Sequence, residues 1–277
     1  MQYRYGSLNL TFAVRPTRQP PNSNWRSRQL FENQKRRNTM EGLMAHAGAQ
    51  KLTRDQLVQI LPPEATETHK PIAHTELVRS VIEGLSFRHI NVVRDEYAVS
   101  EDGMKLFGVL DLETTFEGCR FSLGLRNAND KSMRIALTVG YRVFVCDNMA
   151  FHGDFTPVLA KHSKHFNLMD AIDIGLGRMQ RNFAPMQKQV EGWRGHQLTD
   201  GSAKNIIYDA FLNEDLAMPR HLLRSVHNLY FDPQYPEFAP RTLWSLTNAF
   251  TSALKELDPV PQFKCTAKLG NFFASLN

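Results

Sequence analysis

The sequence predicts an α+β protein: an antiparallel sheet of about four strands built from two hairpins, followed by a helical C-terminal half. Three observations carry this expectation. Apolar residues alternate with period two through much of 97–146, an Asp102-Gly103 pair separates two of the alternating stretches, and beyond Phe151 the apolar residues recur at helical spacing. With 277 residues and 42% hydrophobic content, the chain has enough apolar material for a sizeable core.

The elements follow in order. Thr53 caps a short helix with Gln56 three residues on, and Leu57, Ile60 and Leu61 form its apolar stripe before Pro62-Pro63 ends it. A second helix begins near Thr75, where Leu77, Val78, Val81, Ile82 and Leu85 lie on one side and Gly84 offers a stop. The first hairpin joins strands at 97–99 and 104–112 through Asp102-Gly103, a strong hairpin dipeptide. The second joins 119–125 to 133–146 through the loop Asn127-Ala128-Asn129-Asp130. Asn167 then caps a helix with Leu168, Ile172, Leu176, Met179 and Phe183 on one side, which Gly175 and Gly177 weaken or pack closely. Further helices are expected at 202–213, 219–229, 242–257 and 269–276, with 232–240 a proline-rich loop.

The N-terminus has a different character. Residues 1–40 hold Arg4, Arg15, Arg18, Arg26, Arg28, Lys35, Arg36 and Arg37 against Glu32 alone, a net of +7 within a chain of +5, so the remainder carries −2. With Pro16, Pro20 and Pro21 among these arginines, residues 1–50 are expected to be a mobile basic arm and 51–277 a single α+β domain. The basic pI of about 9.1 therefore belongs to the arm and is poor evidence that the domain binds nucleic acid. Cys119, Cys146 and Cys265 are odd in number and widely spaced, which suggests reduced thiols and a cytoplasmic location, with no membrane span.

The strand face opposite the core is the most informative feature. With Phe121, Leu123, Leu125, Ile135, Leu137, Val139, Tyr141 and Val143 inward, alternation turns Arg120, Ser122, Arg126, Arg134, Thr138, Arg142 and Phe144 outward. Four arginines and an aromatic on one face suit single-stranded nucleic acid, the guanidinium forks taking phosphate and the ring stacking a base. The competing expectation is a face neutralised by acids such as Asp111 and Glu113 or covered by helices. Lys131, in the loop with Arg126, joins the candidate anion-binding set.

Around Cys146 lie Asp147, His152, Asp154, His162 and His165, types that bind zinc or iron, but their spacing fits no zinc motif and no metal is expected. Gly175-Leu176-Gly177 lacks the third glycine and preceding strand of a dinucleotide fingerprint, and no nucleophile elbow, P-loop or H-E-x-x-H is present. No cofactor is expected either.

The run from Leu123 to Gly153 resembles the central block of a phage- and plasmid-like family, domain of unknown function 932. Arg126, Asn127, Asn129, Asp130, Gly140, Arg142, Cys146 and Asn148 match its pattern residue by residue, while Met149 stands where the family usually has Gly. The runs 100–108 and 243–251 are also similar, so the resemblance extends from about Thr75 to the C-terminus. It implies a mobile-element or host-defence setting without an assigned activity. The expectation is a non-enzymatic single-stranded nucleic-acid-binding or annealing-like protein, with a homo-oligomer as one form it could take. The alternatives are a module that binds a host protein and a metal-assisted enzyme around Asp130, Cys146, Asn148, His152 and His162.

Overall fold

Alternating apolar residues and turn-forming dipeptides organise the centre of the chain into one antiparallel sheet. The computed structural model describes residues 50–146, 148–151, 158–257 and 259–276. Its strands are β1 (Gln50–Leu52), β2 (Val92–Val99), β3 (Lys105–Phe116), β4 (Cys119–Ala128), β5 (Ile135–Val143), β6 (Met149–Phe151) and β7 (Val158–Ala160). They lie in sequential order from β1 to β6, and β7 shares the outer edge of β5 with β6. The four long strands correspond to the two expected hairpins. The sheet has seven strands rather than about four because β1, β6 and β7 span only three residues each.

The turns are built as the sequence suggests. Gly103 has φ of 68°, and Met104 N–H donates to the Asp102 carboxylate at 3.0 Å. A second tight turn, Glu117-Gly118, has φ values of 39° and 71°. Paired positive φ matches the twist of a two-residue hairpin, so β3 continues to Phe116 instead of stopping at 112.

The helices are α1 (Arg54–Leu57), α2 (His74–Phe87), α3 (Leu168–Gly195), α4 (Asp200–Leu212), α5 (Leu223–Phe231), α6 (Leu243–Leu254) and α7 (Pro259–Ala274). Thr53 and Gln56 form a complete capping box on α1, and Asn167 accepts from the N–H groups of Met169 and Asp170 at the start of α3. Such caps are each worth about 1 kcal/mol. Gly84 does not end α2. It lies inside the helix, where an added Cβ would come within 2.7 Å of Leu176, so the glycine lets α2 and α3 approach closely. Gly177 faces open space and has no comparable packing reason. The terminal helix begins ten residues before the expected 269, at Pro259.

One face of the sheet carries Leu110, Phe121, Leu123, Leu125, Leu137, Val139 and Tyr141 into a core shared with α2, α3 and α6. Phe183 of α3 stacks on Phe121 with centroids 4.1 Å apart. The other face holds a smaller cluster of Ala98, Phe107, Val109, Met149 and Phe151. Every residue of β5 is therefore buried.

The basic arm through residue 49 lies outside the described residues, as do Asp147, His152 and Asp154. Gln50, assigned to the arm by the expected boundary, opens β1. Among the described residues no helix is long and apolar enough to cross a membrane.

Candidate functional site

The residues singled out in the sequence separate into three places. The first is the middle of the second sheet face. Arg142 has the predicted side-chain direction but is only 3% exposed. Its guanidinium meets Asp111 at 2.7 Å and Glu96 at 3.0 Å. Ser122 donates to Asp111 at 2.7 Å, and Lys51 and Arg94 reach Glu96 at 3.0 and 3.4 Å. Burial pushes the Glu96 carboxyl upward, but the charges of Arg142, Lys51 and Arg94 outweigh it and hold the group below its ordinary range.

An open strip of four arginines is thus corrected. Arg120 and Arg126 are half-buried, and burial lowers the Arg126 pKa. Arg134 precedes β5 in the loop, and Arg142 is locked between two carboxylates. Asp111 partly fulfils the competing expectation of a neutralised face.

The second place is the end of the sheet at the β5–β6 turn. Phe144 is 50% exposed, and the Arg120 guanidinium sits over its ring at 5.4 Å. Behind it, the Cys146 carbonyl accepts from Lys255. Asn148 donates to the carbonyl and side-chain oxygens of Asn248 at 3.1 and 3.2 Å and accepts from Ser252 at 2.9 Å. These family-pattern residues tie the turn to α6. Met149 is buried in the smaller cluster, and its φ is not positive, so the turn accommodates this residue without needing glycine. Gly140 is required by contact: an added Cβ would lie 2.3 Å from the Ala150 carbonyl oxygen and 2.7 Å from Phe151.

The third place is the opposite end, at the β4–β5 loop. Asn129 pairs with both main-chain groups of Ile72, accepting from its N–H at 3.1 Å and donating to its carbonyl at 3.0 Å. Asn127 donates to the same carbonyl at 2.9 Å and to His74 Nδ1 at 3.0 Å. That contact makes Nδ1 the acceptor and leaves Nε2–H to donate to Gly103 O at 2.9 Å, so His74 is neutral. Burial lowers its pKa accordingly. Asp130 accepts from Ser132 N–H and Oγ and pairs with Lys105 at 3.1 Å, while Lys131 takes φ of 66° at the tip. Asn127, Asn129 and Asp130 therefore shape the loop rather than present themselves to a ligand.

This scaffold supports a cavity of about 440 Å³ lined by Thr68, His69, Lys131, Ser132, Met133, Arg134, Lys161, His162 and Ser163. An antiparallel bridge between His69 and Ser163 brings its two distant walls together. His69 reaches the carbonyls of His162 and Asn129 at 3.1 and 3.2 Å through its two ring nitrogens. The rings of His69 and His162 stack at 5.3 Å. His162 is buried, and neither ring nitrogen has a hydrogen-bond partner among the described residues. Burial, reinforced by His69 and His74, pushes its pKa down to about 4. Lys131, Arg134 and Lys161 are exposed at the rim, and among the described residues none pairs with a carboxylate.

Sequence reading picked out Lys131 and Arg134 but grouped His162 with Cys146. Those two lie beyond opposite ends of β5, roughly 25 Å apart from the strand's rise. They do not converge. His69, Lys161 and Ser163 were missed because a single isolated bridge leaves no periodic signal. Among the described residues, no group of three or more His, Cys, Asp or Glu side chains is placed to hold a metal. The Cys119 thiol is buried, which pushes its pKa up to about 12, and it is a poor nucleophile.

Together these features define an α+β protein with a cationic pocket at one end of a two-sided sheet. The chain belongs to the family described as domain of unknown function (DUF932), whose model matches residues 71–264, more than two thirds of its length. No curated protein and no solved structure matches it.

Proposed function

We propose that this protein is a non-enzymatic, sequence-tolerant binder of single-stranded nucleic acid, acting in the cytoplasm, that holds phosphates at the cavity beside the β4–β5 loop. The observation that carries the reading is the rim of Lys131, Arg134 and Lys161 around a cavity of about 440 Å³ whose described lining residues include no carboxylate. Cations that are not committed to carboxylates are available to phosphate, and arginine can engage it through two parallel hydrogen bonds. At the far end of the sheet, the exposed Phe144 ring offers a base a stacking surface beside Arg120. The mobile-element setting rests on family resemblance alone.

The test is binding of unstructured single-stranded oligonucleotides to the full chain across a salt series. Affinity falls with salt by about −0.7 logarithmic units per phosphate contacted. Arg134→Ala with Lys161→Ala makes that slope shallower by about one unit or more in a background where the basic arm is unchanged. Phe144→Ala weakens binding and leaves the slope nearly intact. Absence of binding at low salt, or an unchanged slope in the double variant, would remove nucleic acid from this pocket. A host-protein partner would then take first place.

A further inference from the structure

We infer that the His162 cavity is a seat for a phosphomonoester, so that the protein recognises a phosphorylated chain end in preference to an internal phosphodiester. The inference rests on the proposed function only for the polymer attached to that phosphate.

The first argument is charge and donor count. Three cations line the cavity, together with the hydroxyls of Thr68 and Ser163, while the Ser132 hydroxyl is held by Asp130. An internal diester brings one negative charge and two unbridged oxygens. A phosphomonoester brings about −1.5 to −2 and three acceptor oxygens, a closer match to this set of donors. The volume falls within the range of ligand pockets, about 300–1,000 Å³. Among the described lining residues Met133 is the only aliphatic one, which leaves little apolar wall there to hold a base. A metal cation is disfavoured by the same three positive charges.

The second argument is His162 itself. It is 6% exposed, yet neither ring nitrogen is satisfied among the described residues. A buried polar atom left without a partner costs on the order of 1–3 kcal/mol, so this ring reduces stability unless something completes it. It is also held in place: the stack on His69 sets its plane, and its own carbonyl accepts from His69 Nδ1 and Lys70 N–H. A phosphate oxygen accepting from an imidazole N–H would supply the missing partner. The rim cations keep the negative charge there, and proton uptake by the ring would strengthen the contact.

The test compares one oligonucleotide sequence carrying a 5′-phosphate, a 3′-phosphate or hydroxyls at both ends, alongside a nucleoside monophosphate, all against the full chain. At least one phosphorylated form should bind about tenfold tighter than the hydroxyl form, as expected from one additional charge-assisted hydrogen bond. His162→Phe, which retains a ring for the stack, should abolish that preference while the melting temperature stays level or rises. Lys161→Ala, on the exposed rim, should reduce the preference independently. Equal affinity for all three ends with no binding of the monophosphate would overturn the inference and leave the proposed function standing. Binding of the monophosphate without any oligonucleotide would do the reverse. A preference that survives both variants would place the seat elsewhere and overturn the assignment, and no binding of any probe would overturn both.

Discussion

Asn148 and Asn248, one hundred positions apart in the chain, are joined by two hydrogen bonds from a single side-chain amide. The amide reaches the Asn248 carbonyl at 3.1 Å and its side-chain oxygen at 3.2 Å, while Ser252 donates back at 2.9 Å. Both asparagines are buried between the β5–β6 turn and α6, with Ser252 half-buried at the edge. Asn148→Ala leaves the Asn248 side-chain oxygen and the Ser252 hydroxyl short of a partner, while the Asn248 carbonyl keeps Thr251, at a cost of about 2–3 kcal/mol. In thermal denaturation this should appear as a melting temperature roughly 5–10 °C lower. A change of a degree or less would mean that water replaces the lost bonds.

Arg142 is a second structural linchpin. Replacing it by Met strands Asp111, which keeps Ser122, and weakens the set of cations around Glu96. Removing one partner of a buried ion pair costs about 3–5 kcal/mol. Urea denaturation should show that loss in Arg142→Met and recover much of it when Asp111→Leu is added. If the single variant unfolds no earlier than the parent, the pair is not closed to water.

Acid should destabilise the fold in two stages. His162 and His74 are neutral and have depressed folded-state pKa values, against an ordinary 6.5. The unfolded chain therefore binds more protons than the folded one below about 6.5, and stability falls until pH passes His162's folded value of about 4. Glu96 adds a further loss that begins near its ordinary 4.5 and grows as pH falls through its lower folded pKa. Melting curves from neutral pH downward test this. His162→Phe should make the limb between 6.5 and 4 shallower, leaving the share of His74, and should leave the Glu96 loss below it unchanged.

Gly140→Ala should detach β6. A methyl 2.3 Å from the Ala150 oxygen demands a shift of main chain that no side-chain rotation can relieve. The expected cost is about 1–3 kcal/mol or more. Amide hydrogen exchange should show lost protection concentrated at Met149–Phe151, and uniform protection would show that β5 moves instead.

How much of this could be read beforehand depends on the residues concerned. The capping box at Thr53 and Gln56, the Asp102-Gly103 turn and the apolar alternation of β4 and β5 announce themselves, because local chemistry alone determines each. The start of β2 does not. Arg94, Asp95 and Glu96 lie ahead of the strand expected from 97 and carry no apolar alternation, and Glu96 becomes buried only because Lys51 and Arg142 arrive from other strands. The arginines illustrate the same limit: alternation gave the correct direction for Arg142 and Asp111 stood out as an acid that could neutralise the face, but nothing local disclosed that Glu96 would close the pair from β2. Lys131 and Arg134 were visible as loop cations. His162 was drawn toward Cys146 by proximity along the chain, whereas β7 carries it back to the beginning of β5.

The cavity wall comes from three stretches, Thr68–His69, Lys131–Arg134 and Lys161–Ser163, separated by dozens of residues. An unfolded chain scatters them, so whatever occupies the cavity binds the native state alone and acts as a folding ligand. By mass action, such a ligand at a hundred times its dissociation constant adds about 2.7 kcal/mol to unfolding. A melting-temperature screen against small phosphorylated compounds can therefore report on this site before any reaction or partner has been assigned.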